Sequence, residues 1–86
     1  MLDKQKKSKV IEKFKTHAGD TGSPEVQVAI LSAEITDLQE HLDLHKKDFS
    51  SRRGLLRKVS ERRRLLKYLD IENAARAEAL KKKLKL

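Results

Sequence analysis

Val28, Leu31, Ile35, Leu38, Leu42 and His45 follow one another at alternating intervals of three and four. That rhythm keeps one stripe of a 3.6-residue helix turned toward a neighbour and predicts a long helix with a packed seam. Lys46-Lys47-Asp48-Phe49 breaks it. From about Ser51 to Leu69 the period resumes, and at roughly 100° per residue Leu55, Val59, Leu66 and Leu69 fall on one side. Together the two stretches predict a helical hairpin that turns at Lys47-Asp48. Residues 4–15 carry a weaker apolar side, Val10, Ile11 and Phe14 among six lysines, and read as a short amphipathic helix. Ala77, Leu80 and Leu84 give a last helix its inward face. No segment carries the pattern of a strand. The expected fold is all-α with four helices: a long antiparallel hairpin forming a three-helix bundle with the C-terminal helix, plus a mobile short N-terminal helix.

Capping chemistry supports these boundaries. Thr16 to Ser23 holds Gly19, Asp20, Thr21 and Gly22, which favour a turn. Ser23 caps the second helix, Pro24 takes the first helical position where no N–H is missed, and Glu25 sits at the positive end of the dipole. Asp48 or Ser50 can cap the third helix and Asn73 the fourth, while Lys81-Lys82-Lys83 suits the negative end of the last. Gly54 is the odd residue, because glycine inside a helix costs roughly 1 kcal/mol relative to alanine. Either it lies in the first turn, where the penalty is small, or something packs close to it.

A chain of 86 residues is expected to form one domain, residues 1–86, with a modest core. The absence of cysteine excludes disulfides, thiol catalysis and cysteine zinc modules, and fits a reducing compartment. No apolar run is long enough to span a bilayer, and the N-terminus lacks a signal-peptide stretch, so a cytoplasmic location is expected. The net charge is +8, but its distribution says more. Residues 16–45 hold no lysine or arginine and six acids, which leaves all 21 bases and seven of the 13 acids elsewhere, a net +14.

That charge is sorted onto a surface. Arg53, Arg57, Arg64 and Lys67 cluster roughly opposite the apolar side of the third helix, with Tyr68 at the edge of the stripe. An apolar seam explains folding, whereas a basic stripe away from it points to a phosphate backbone. A solvated face is the plainer alternative. His41 and His45 stand four apart, a metal-binding spacing, but Leu42 sits where a zinc protease needs its glutamate, and no third ligand except Asp48 is at hand. No metal and no cofactor is expected. No serine–histidine–acid set, glycine-rich phosphate loop or paired inward carboxylates stand out, so no enzyme is expected.

Folding the hairpin about Lys47-Asp48 sets position 27 roughly opposite 68 and 41 roughly opposite 54. Two polar clusters result. One joins the Thr21-Gly22 loop, Gln27 and Tyr68; the other, at the tip, joins His41, Asp48 and Ser51. They lie about 20 residues of helix apart, on the order of 30 Å. Singly, each residue has an ordinary reading as a turn, cap, solvated or seam-edge residue. Aligned beside a basic face, they suit RNA, whose shallow groove offers 2′-hydroxyls and guanine amino groups. Three aromatic residues, Phe14, Phe49 and Tyr68, are too few for a base-stacking platform, so the expected target is folded RNA.

The segment Gly19-Asp20-Thr21-Gly22-Ser23-Pro24-Glu25-Val26-Gln27-Val28-Ala29 resembles the signature of the fifteenth-protein family of the bacterial small ribosomal subunit. So do His41-Leu42, His45-Lys46-Lys47-Asp48, Ser51-Arg52-Arg53-Gly54-Leu55-Leu56, Arg62-Arg63-Arg64-Leu65-Leu66 and Tyr68-Leu69. The resemblance covers nearly the whole chain. It implies an all-α, four-helix primary ribosomal-RNA-binding protein that binds a three-way helical junction in the central domain of small-subunit RNA. It further implies a part in platform assembly, a bridge to large-subunit RNA, and neighbouring small-subunit proteins as partners. Thr21, Gly22, Gln27 and Tyr68 match the junction-contacting positions; His41, Asp48 and Ser51 match those at a neighbouring RNA helix. The expected RNA-binding set is therefore these seven residues with Arg53, Arg57 and Arg64, in a protein that is monomeric when free.

Two departures stand out. Gln27, Glu34 and His41 are seven apart and so form one line beside the seam of the second helix; relatives often carry a basic or neutral residue at Glu34, and Arg62 is its expected partner across the hairpin. Arg76-Ala77 stands where an arginine–tyrosine pair is usual and the glycine near the end is absent, so looser packing of the last helix is expected. Two rival readings stay open at this point: a helical protein-interaction module with a partly exposed seam, and a basic peripheral membrane helix.

Overall fold

The computed structural model describes residues 4–15 and 22–86. Four α-helices follow one another: α1 (Lys4–Phe14), α2 (Pro24–Leu44), α3 (Phe49–Glu72) and α4 (Ala74–Leu84), and no strand occurs among the described residues. α2 and α3 make the principal packing, α1 lies on α2, and α4 packs on α3 and touches α2. The antiparallel sense of the hairpin shows in its cross-links. Lys58 reaches Glu34 and Arg62 reaches Ser32, so partners descend α2 as they ascend α3.

The helix ends follow local chemistry. Ser23 accepts the Val26 N–H at 3.3 Å and Pro24 opens α2. Asp48, rather than Ser50, caps α3 by accepting the Ser51 N–H at 3.0 Å, so the helix starts at Phe49. It runs to Glu72, beyond the expected Leu69, because nothing before Asn73 interrupts it. Asn73 ends α3 in extended geometry (φ −160°, ψ 95°) and caps α4 by accepting the Arg76 N–H at 3.2 Å. One residue thus separates two helices.

The α2 seam is buried at Val28, Leu31, Ile35 and Leu38 and half-buried at Leu42. It does not extend to His45, which is exposed because α2 ends at Leu44 and His45 leaves the helix as its C-cap. The core joins Phe14, Val26, Val28, Ala29, Leu69, Ala77 and Leu80. Complete burial of side chains such as Leu69 and Val28 contributes about 1.5–3 kcal/mol each. α1 is anchored through Phe14, with Val10 and Ile11 packed beside it. Lys83 of α4 reaches across to it: its ammonium lies 4.8 Å from the Phe14 ring centroid and donates to the Lys13 carbonyl at 2.7 Å.

The expected looser packing of the last helix is not what the chain does. Ala77 and Leu80 are buried, and the Arg76 guanidinium grips Glu25 through two bonds of 2.7 and 2.5 Å. The ion pair neutralises Glu25, a buried carboxylate at the start of α2.

Candidate RNA interface

At the hairpin tip α2 supplies His41 and α3 supplies its own cap, Asp48, and Ser51. Asp48 Oδ2 accepts from Ser51 Oγ and from His41 Nε2, both at 2.7 Å, while Oδ1 accepts the Ser51 N–H. An ionised carboxylate only accepts, so His41 donates from a protonated Nε2. The Ser51 hydroxyl and N–H, then the His41 ring, hold the Asp48 carboxyl far below the usual carboxylate range. The His45 ring stacks on His41, with centroids 4.7 Å apart and planes tilted by 33°. Arg52 closes the turn by donating to the Lys46 carbonyl at 2.7 Å. No group of three metal-binding side chains forms among the described residues.

The second cluster is assembled in part. Gln27 Nε2 donates to the Gly22 carbonyl at 2.6 Å, which ties the start of α2 to the preceding loop. Tyr68 is about half-exposed on α3 and makes no hydrogen bond among the described residues. Thr21 lies outside the described residues. Arg53, Arg57, Arg64 and Lys67 are exposed along α3, and none of them forms a hydrogen bond or ion pair among the described residues.

Between the clusters, Glu34 is paired, but not with the expected arginine. Lys58 donates to its Oε2 at 3.2 Å, and both side chains are less than one-fifth exposed. Arg62 bonds the Ser32 hydroxyl instead, at 3.3 Å. The hairpin register that set 41 opposite 54 sets 34 opposite 61, which favours Arg62; Lys58 lies one helical turn away, and packing rather than register gives it Glu34. Its pairing removes the repulsion an isolated carboxylate would offer to phosphate.

A profile described as ribosomal protein S15 matches residues 6–86. The chain belongs to the ribosomal protein S15 family. It is 56% identical over 86 residues to the small ribosomal subunit protein uS15 of Caldanaerobacter subterraneus subsp. tengcongensis, covering all of this chain and 98% of that protein. It is 55% identical, over the same shares, to the protein of that name from Thermoanaerobacter sp.. The uS15 of Campylobacter lari is 62% identical over 68 residues, 79% of this chain and 76% of that protein. As an S15 family member the chain is a structural constituent of the small ribosomal subunit and an RNA-binding protein rather than an enzyme. No helix is long and apolar enough among the described residues to cross a membrane.

Proposed function

We propose that residues 1–86 act as one RNA-binding domain that engages a three-way helical junction in the central domain of small-subunit ribosomal RNA. In this reading the protein is monomeric when free and works in the cytoplasm. It helps nucleate platform assembly and joins a bridge to large-subunit RNA. Thr21, Gly22, Gln27 and Tyr68 face the junction; His41, Asp48 and Ser51 meet a second site on a neighbouring RNA helix; Arg53, Arg57 and Arg64 supply phosphate contacts.

The observation that supports it most is the preformed tip. Both lone pairs of Asp48 Oδ2 are engaged, and Oδ1 has one left. Asp48 therefore acts mainly by aiming its neighbours. Ser51 Oγ spends its proton on Asp48 and keeps lone pairs for a ligand, and His41, its Nε2 turned to Asp48, presents its other ring nitrogen, Nδ1. An array of acceptors suits groups that donate, and the shallow groove of A-form RNA displays 2′-hydroxyls and guanine amines. Groups fixed before binding lose less entropy on binding. The unpaired arginines of α3 add affinity that depends on salt but not on sequence.

The test is titration of a small-subunit three-way junction RNA, with a scrambled duplex as competitor, across a salt series. Binding that survives the competitor supports the reading. Equal, steeply salt-dependent affinity for both RNAs would leave only a generic polycation.

A further inference from the structure

Gly54 is the sixth residue of α3, beyond the first turn, so it bears the full helix penalty that an end position would escape. Nothing among the described residues requires it there. A Cβ built at this position meets no atom within 4 Å, and the backbone is not in the left-handed region. The expectation that something packs close therefore fails within the molecule.

What the missing side chain does is expose its neighbours. A helical side chain lies over the turn N-terminal to its own Cα, so residue 54 would cover Ser50 and Ser51. Ser51 is the hydroxyl of the tip cluster, bonded to Asp48. Four residues on, Lys58 holds Glu34 across the hairpin, which places Ser51, Gly54 and Lys58 on the flank facing α2. Ser51 and Lys58 are seven residues apart, about 10 Å along the axis. A shallow notch with a bare floor thus lies between a set of acceptors and a neutralised ion pair. Arg57, its neighbour one turn on, and Arg53 are exposed beside it and have no partner among the described residues. The floor is helix backbone with carbonyl oxygens that no side chain at 54 shields, and its surroundings are cationic.

We infer that Gly54 forms a binding notch for one ribose–phosphate unit of an RNA strand, whose 2′-hydroxyl lies against the bare α3 turn while the Arg53 and Arg57 guanidiniums take the phosphate. This rests on the RNA-binding reading above and adds a site to it. A helix turn with no side chain at 54 admits a sugar against its backbone, so the residue at 54 is limited by the ligand rather than by the fold.

Gly54→Ala and Gly54→Leu, compared with the wild type, separate fold from ligand. Both variants should melt higher, by several degrees, because each removes a helix-interior glycine without a clash. Affinity for the junction RNA should fall about tenfold for alanine and further for leucine, a graded steric loss. Affinity within twofold of wild type for both variants overturns the notch. A lower melting temperature for alanine also overturns it, because the glycine would then be serving the fold. The variant-to-wild-type ratio on one RNA tests the notch, and the wild-type ratio between junction and scrambled duplex tests the function, so either can fail alone.

Discussion

Replacing Arg76 with alanine should loosen α4 from the start of α2. Its guanidinium donates to both oxygens of Glu25, from Nε at 2.7 Å and from Nη2 at 2.5 Å. The Glu25 side chain is 11% exposed and that of Arg76 45%, so the pair is neither a surface ion pair nor a buried one. An exposed pair contributes roughly 0.2–1 kcal/mol, and unpairing a fully buried one costs about 3–5 kcal/mol. With one partner almost enclosed and the other half in water, the loss should match that of charge-assisted hydrogen bonds, about 1.5–3 kcal/mol. The α2 N-terminal dipole offsets part of the unpaired carboxylate, which argues for the lower half of that range. For a domain this small each kcal/mol moves the melting temperature by about 4–8 °C, so a fall of roughly 6–15 °C is expected. Thermal and urea melts followed by circular dichroism give the loss, and a double-mutant cycle with Glu25→Ala isolates the coupling. The double variant should be less destabilised than the sum of the singles. A coupling under about 0.5 kcal/mol would refute the reasoning and leave α4 held by Ala77, Leu80 and the Lys83 contacts to α1.

Leu69→Ala, at a 1% exposed position between the helices, should cost about 2–5 kcal/mol in urea unfolding. A smaller loss would mean the core collapses around the gap. Asp48 makes a pH prediction with a definite sign. Its folded-state pKa is depressed by Ser51 and His41, so its stabilisation is full above the ordinary carboxylate range and is lost as pH falls through the folded value. The melting-temperature gap between wild type and Asp48→Asn should therefore be widest near neutrality and shrink in strong acid; a gap independent of pH would count against it. Arg64→Ala should weaken binding to junction and scrambled RNA alike and lower the salt slope by about one, read from titrations at several salt concentrations.

The S15 family assignment gives these numbers a context. A small RNA-binding protein must keep its cations unpaired before its partner arrives. Among the described residues Arg53, Arg57 and Arg64 satisfy that, while Arg76 and Lys58 are consumed in holding the fold. Bases that look alike in the sequence thus divide into two groups, and only packing distinguishes them.

The sequence by itself determined the helices, their order and most of their ends. Seam spacing and caps act between near neighbours, so Val28 to Leu38, Ser23-Pro24 and Asn73 can be read without knowing the fold, while the α3 cap stayed open between Asp48 and Ser50 until the structure gave it to Asp48. The tip cluster was legible too, because a short turn between antiparallel helices fixes which residues meet. Tertiary structure decided what depends on distant partners. It set α1 on α2 through Phe14 and tied it to α4 through Lys83, gave Glu34 to Lys58 rather than Arg62, and paired Arg76 with Glu25, 51 residues away. It also showed that Gly54 faces open space. A helical period fixes the face a side chain occupies but leaves its partner open by a full turn, and over a 5.4 Å pitch that choice is made by packing.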